Sequence, residues 1–276
     1  MLRGVALVLA LLASGQAALG QAAVPIVLRL HPFVGDTMHT LLEQQTEVVA
    51  TTPGNPMASS KSVTTSMAIH SRTIIRSIQS MTATVVTVVD SATMSSTDAH
   101  AAAMIAQTQR SLEGQQLVLE LGADGAVESA RDTHGVLVPK ALAQAMASMP
   151  AVFPKNAVAV GGQWMREMPL PSGGPLGARG AGHVHAIFHF DSLQKGGAMA
   201  YVSMRGEILP DSASQGVALS GTVAGSMQLD RVRGWMTDSK FVVVVKSIVT
   251  PPVETGVAPM RFTTRLTQRL RTMDKR

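Results

Sequence analysis

The stretch from Lys61 to Met94 contains no proline and no glycine and is dense in Val, Ile and Thr. That composition suits pleated, half-buried backbone, and the run is far longer than an ordinary strand of about 5–6 residues. It divides into two long strands, near Ser62 to Ile78 and Thr82 to Met94. A two-stranded ribbon is marginal on its own in water, so the rest of the chain has to continue the sheet.

The remaining pattern does so. Val27 to Leu30 alternates as a short strand, and a Gly35-Asp36 turn then leads into a second strand from about Thr37 to Thr51. Thr52-Pro53-Gly54-Asn55-Pro56 is a loop, because proline fixes φ and glycine supplies positive φ. Thr97-Asp98 can cap a helix running to about Leu112, with Ala101, Met104, Ile105, Thr108 and Leu112 near one face. Leu117 to Leu121 and Ala126 to Asp132 form a hairpin around Gly122-Ala-Asp-Gly125. Pro139 opens a second helix, Lys140 to Met149, with Leu142, Ala145, Met146 and Met149 on one stripe.

Gly161 to Trp164 starts another strand, and Pro169 to Gly182 is a Gly- and Pro-rich loop. Five further strands follow: His183 to Phe190, Ala198 to Ile208, Val217 to Leu229, Trp235 to Val249 and Met260 to Arg271. In the last, Met260, Phe262, Thr264, Leu266, Gln268 and Leu270 share one face, and Arg261, Thr263, Arg265, Thr267, Arg269 and Arg271 share the other. One side of that strand is wet. Consecutive long strands without βα alternation imply a mainly β (α+β) fold: a long curved antiparallel sheet, or half-barrel, with the two helices packed on one face.

The first 22 residues are set apart from this fold. Arg3, the apolar run Gly4 to Ala13 and the small residues from Ser14 onward have the order of a cleaved secretory signal. The run is about half the ~20 residues a membrane-spanning helix needs. Cleavage falls near Ala18-Leu19-Gly20, before Gln21. No cysteine follows, which leaves no site for a lipid-anchored N-terminus and no disulfide framework. The expectation is a periplasmic or secreted bacterial protein with a single domain over residues 23–276. Formal charge is +5 for the whole chain and falls to about +4 without Arg3.

Several residue groups invite chemistry. His183, His185, His189 and Asp191 share parity in one strand, and His-x-His can present two imidazoles to an ion. At ~3.3 Å per residue, however, His189 lies about 13 Å from His185, and Val184, Ala186, Phe188 and Phe190 read as a buried face that leaves the histidines solvated. The C-terminal arginines, with Arg231 and Arg233, could meet phosphates. Nucleic-acid recognition on a sheet adds aromatic platforms, and aromatics make up only 3% of the chain; a solvated, charged face is the better reading. The same scarcity removes the aromatic girdles of an outer-membrane barrel. No nucleophile elbow, phosphate loop or zinc-protease motif is present, so no catalytic, cofactor or metal residue is assigned. Of the seventeen methionines, Met104, Met146 and Met149 fall on helix stripes and Met260 on a strand's apolar face, where Met fills volume.

Phe33-Val34-Gly35-Asp36 after a first strand, Asp124-Gly125 in a hairpin, Val158-Ala-Val160-Gly-Gly-Gln-Trp164, and Gly225-Ser-Met-Gln-Leu-Asp230 followed by Gly234 resemble a bacterial family of exported proteins. The resemblance implies a fold like that of the periplasmic lipoprotein carriers, a curved antiparallel sheet with helices in its concave side. It also implies a cavity for an apolar small molecule or lipid, and it identifies no functional residues. The leading expectation is therefore a soluble exported binding or carrier-type protein, with no nucleic-acid partner and no membrane span after cleavage. The alternatives are an envelope structural or interaction module without a ligand, and a hydrolase whose site lies in distant residues.

Overall fold

A computed structural model describes residues 24–51, 60–133, 152–170, 182–210, 217–250 and 259–273. The leader, the Thr52-to-Pro56 loop, the Lys140-to-Met149 helix and most of the Pro169-to-Gly182 loop lie outside the described residues. Eleven strands run in chain order: β1 (Thr37–Thr51), β2 (Lys61–Gln79), β3 (Thr82–Ser96), β4 (Gln116–Gly122), β5 (Val127–Asp132), β6 (Gln163–Pro169), β7 (Gly182–Gln194), β8 (Met199–Pro210), β9 (Val217–Asp230), β10 (Trp235–Val249) and β11 (Met260–Met273). Among the described residues one α-helix, α1 (Ala102–Leu112), stands between β3 and β4.

All eleven belong to one sheet in the order β5-β4-β3-β2-β1-β11-β10-β9-β8-β7-β6. Every pairing is antiparallel. β1 and β11 are neighbours at the centre, and β5 and β6 are the outermost strands among the described residues. The division of the long Val/Ile/Thr run comes at Ser80-Met81, where Ser80 takes φ 56° and the chain reverses in two residues. Short connections at 80–81, 123–126, 195–198 and 231–234 all lie at one end of the sheet.

The sheet is strongly curled. Laid flat, ten strand spacings of ~4.8 Å would put β5 and β6 about 48 Å apart. Instead, Asp124 in the β4–β5 turn lies 4.0 Å from Arg166 of β6. Residues 152–153 complete the link: the N–H groups of Val152 and Phe153 both donate to the Asp124 carbonyl, and the Arg166 guanidinium donates to the Phe153 carbonyl. Trp164 Nε1 donates to the Val152 carbonyl at 2.8 Å. The edges meet through this loop but do not pair as strands, so the barrel stays open.

The inward face is apolar. Phe188, Phe190, Val202, Met227 and Leu229 form a fully buried core with Phe153 and Leu28, and Trp164 stacks on Phe188 with centroids 5.4 Å apart. A smaller core joins Ile75, Val85, Leu117 and Leu119. Trp235, four strands from β3, packs against this second cluster, as only a curled sheet allows. Gly225 lies opposite Phe241 on this face. A Cβ at Gly225 would come within 2.4 Å of that ring, so glycine gives the aromatic its space.

Two expectations need correction. Val27 to Leu30 is not a strand of the sheet. The segment crosses the short-turn end, joined by the isolated Ile26–Val158 bridge, by Leu30 N–H to the Ala123 carbonyl and by His31 N–H to the Gly234 carbonyl. Leu28, fully buried, plugs that end. An extended segment docked on a core shows the same alternation as a strand, because the period reports side-chain direction and not hydrogen-bond partner.

The α1 helix is present, but it begins at Ala102 without a side-chain cap, and Asp98 Oδ1, which accepts from the N–H of His100, instead fixes the 3-10 turn Ala99–Ala101 that leads into it. It does not cover a face of the sheet. β4 pairs only with residues 82–88 of β3, and α1 lies along the rest of that edge: Gln109 Oε1 accepts from Met94 N–H and Glu113 Oε1 from Ala92 N–H. Side-chain amide and carboxylate thus occupy part of an edge that would otherwise template pairing. Replacing the buried ring at the junction, Phe153→Ala, is expected to cost about 3–5 kcal/mol in urea unfolding. The exposed helix substitution Met104→Ala should stay within about 0.5 kcal/mol.

Candidate functional site

The two faces of the central strands differ in chemistry, although apolar Leu41 and Val49 stand among the charges of the outward one. Outward, β1 and β11 set Glu43 opposite Arg269 and Glu47 opposite Arg265. Arg271 donates to Glu43 at 2.8 Å and Arg269 to Asp238 of β10 at 2.7 Å. The hydrogen bond and charge of Asp238 raise the Arg269 pKa above its ordinary value. These arginines form cross-strand ion pairs on a solvated face, the arrangement read from the sequence. An outward face of this kind is the inverse of the apolar band a lipid-facing barrel presents.

Inward, the same strands carry Ile69, Leu42 and Leu270 in one row, in register across β2, β1 and β11. Met67 and Met94 pair in the next row. These side chains are half-buried, unlike the fully buried interior of β7 to β9. Threonine hydroxyls sit among them: Thr40 bonds Ser71 at 2.8 Å and Thr73 bonds Thr87 at 3.2 Å. The result is a concave strip that is mostly apolar, with Gln44 and Gln268 in the row of Met67 and bonded hydroxyls beside it, plugged by Leu28 and Phe153 at the short-turn end.

A separate cleft of about 150 Å³ opens at that same end between Arg29, His31, Ile78, Met81, Leu121 and Trp235. Sites for drug-sized ligands are about 300–1,000 Å³, so this cleft suits a few atoms of a ligand and not a whole one.

The β7 histidines divide. Val184, Ala186, Phe188 and Phe190 are buried, and the histidines take the other parity. His185 contacts Met165 Sδ at 3.2 Å and lies 4.0 Å from Glu167. His189 Nδ1 meets Asp191 Oδ1 at 2.6 Å, and Ser203 Oγ donates to the same oxygen at 2.7 Å. Asp191 stands between hydroxyl and imidazole, whereas nucleophilic catalysis needs the imidazole bonded to the hydroxyl. The group therefore orients a surface histidine and does not pair a nucleophile with a base. Ser203 comes from the neighbouring strand β8, and only the β7–β8 register brings it to Asp191. Among the described residues no three His, Asp or Glu side chains converge on a metal-sized space.

No family model and no curated protein matches the chain. Solved structures similar to it include DynF from the dynemicin biosynthesis pathway of Micromonospora chersina, 9% identical, covering 93% of this chain and 88% of that one, with TM-score 0.24. Another is the outer membrane protein OprG from Pseudomonas aeruginosa, 8% identical, covering 88% and 98%, TM-score 0.23. A third is an outer membrane channel from Pseudomonas putida F1, 8% identical, covering 88% and 97%, TM-score 0.22. Likeness at this level bears on neither function nor mechanism.

Since a ligand that binds only the folded state raises its stability, the divided histidines carry a prediction. Zinc added to metal-free protein should leave the thermal unfolding midpoint unchanged, and a rise of several degrees lost on His183→Ala would show a site there.

Proposed function

We propose that the protein is an exported, soluble binding or carrier protein that holds an apolar ligand, of the acyl-chain class, along the concave face of its curled sheet. One observation carries the reading: Ile69, Leu42, Leu270, Met67 and Met94 form a contiguous half-buried apolar strip, while the opposite face of the same strands is charged. Burying apolar area yields about 25 cal/mol per Å², so a flexible chain laid on this strip gains affinity with each methylene it covers. Methionine suits the task because its thioether adapts to varied shapes. The leader-like N-terminus and the resemblance to exported carrier-like proteins support the same assignment. No reaction is assigned.

The packed interior between β6 and β10, with its stacked Trp164 and Phe188, favours a second reading, an envelope interaction module with a filled core. The two differ in what the purified protein carries. Native mass spectrometry of protein from its own cells should find bound lipid, and N-phenyl-1-naphthylamine should bind and be displaced by fatty acid. Met67→Lys should weaken that binding at least about tenfold, because a charge in an apolar site is costly to desolvate. Absence of lipid and of probe binding would leave the module, which in-cell cross-linking to one reproducible protein partner would identify.

A further inference from the structure

The short-turn end of the sheet carries an unusual surface. Phe33 and Val34, just before β1, are 58% and 61% exposed; Met81, in the β2–β3 turn, is 61% exposed; Val232, in the β9–β10 turn, is 66% exposed. Turns normally place polar residues at such positions. These four belong to one region: His31 N–H bonds the Gly234 carbonyl, holding the segment before Phe33 to the β9–β10 turn, and Gly35 N–H bonds the Ile75 carbonyl, holding the segment after Val34 to β2. Between them the cleft bounded by Arg29, Ile78 and Met81 continues the apolar surface.

Cations border the same region. Val232 stands between Arg231 and Arg233, and Arg233 has a side chain 63% exposed. Arg231 reaches the Gly197 carbonyl of the β7–β8 turn, where Lys195 is exposed. Arg29 and Arg76 are exposed as well. The acids at this end are engaged: Asp36 Oδ2 accepts from Phe33 N–H, Asp230 Oδ1 accepts from the N–H groups of Val232 and Arg233 while its other oxygen lies 4.0 Å from the Arg233 guanidinium, Asp124 Oδ1 accepts from Ala126 N–H, and exposed Glu128 accepts from the Thr82 hydroxyl. Asp36 and Asp230 fix the turns that hold the apolar residues outward, and their charge is offset by the flanking arginines.

We propose that this end docks on the surface of an anionic lipid bilayer, with Phe33, Val34, Met81 and Val232 entering the headgroup–acyl boundary and Arg29 and Arg233 meeting phosphates. Apolar apices on separate projecting turns, with cations set beside them, match the layered polarity of that boundary. Arginine stems also let the guanidinium stay at headgroup level while the turn enters. The inference stands apart from the ligand reading, since it uses the plugged end of the sheet and not the concave strip.

The test is co-sedimentation with vesicles of equimolar phosphatidylglycerol and phosphatidylethanolamine, using the form of the protein its own cells export. Binding is expected to weaken on phosphatidylcholine vesicles and with added salt, which screens exposed charge. Replacing Phe33, Val34, Met81 and Val232 together by Ser should weaken it at least about tenfold, with near-ultraviolet circular dichroism unchanged because all four are exposed. Arg29→Gln with Arg233→Gln, an independent variant, should remove the preference for anionic lipid. Uptake of N-phenyl-1-naphthylamine should be the same in wild type and tip variant, whatever its level, which separates this result from the ligand reading. Wild-type protein that stays in the supernatant with both vesicle types, or a folded tip variant that binds like wild type, would overturn the proposal.

Discussion

The curl of the sheet is held where the turn after β4 meets the edge strand β6 through the backbone of Val152 and Phe153, with Ile26 and Leu30 tying the same two flanks beside it. Hydrogen bonds of this kind contribute only about 0.5–1.5 kcal/mol each, so their number is not what bends an eleven-stranded sheet. The Phe153 ring, fully buried beside Leu28, contributes more, and the hydrogen bonds decide where it sits. With the junction formed, inward residues of strands on opposite flanks come into contact and the concave face becomes an interior. Without it, the same face would be a broad apolar surface open to water.

The two faces then divide the work. Outward ion pairs such as Arg271–Glu43 lie in solvent and add at most about 1 kcal/mol apiece; their larger effect is to keep that face from associating. Inward, the fully packed β7–β9 portion supplies stability, and the half-buried β1–β2–β11 portion is where the structure has apolar surface to spare. A protein that receives a ligand needs both kinds of region, because a site as tightly packed as Phe188 and Phe190 would have to be dismantled to admit one.

Strands and their faces were legible in the sequence wherever alternation and turn residues agreed. β1, β10 and the parity of β11 follow from residue type alone; that the Val/Ile/Thr run reverses follows from its length, but no turn residue marks the place, Ser80-Met81. Curvature was not legible, because the contacts that join the two flanks run through Val152 and Phe153, in a proline-flanked segment with no periodicity of its own. The helix shows a related limit. Its apolar stripe suggested a face-covering role, yet Met104 is exposed and the decisive side chains are Gln109 and Glu113, polar groups whose targets lie on β3. At the candidate site, the solvated parity of the histidines was visible, but the Ser203–Asp191 contact required the β7–β8 register. Phe33, Val34, Met81 and Val232 were in plain view as apolar residues in turns; only the topology shows that those turns share one end.

The adjacency of β1 and β11 has a further consequence for how the protein is made. His39 pairs with Met273, so the middle of the sheet is completed after its flanks, and β1 waits with one edge unpaired until β11 has been synthesised. Pairings so distant in sequence form slowly, and a waiting edge is a hazard during that interval. Glu43 and Glu47 lie on this strand, and with Arg269 and Arg265 facing them across the register they do more than pair in the finished molecule: before β11 arrives, their unneutralised charge discourages the wrong neighbour from taking its place.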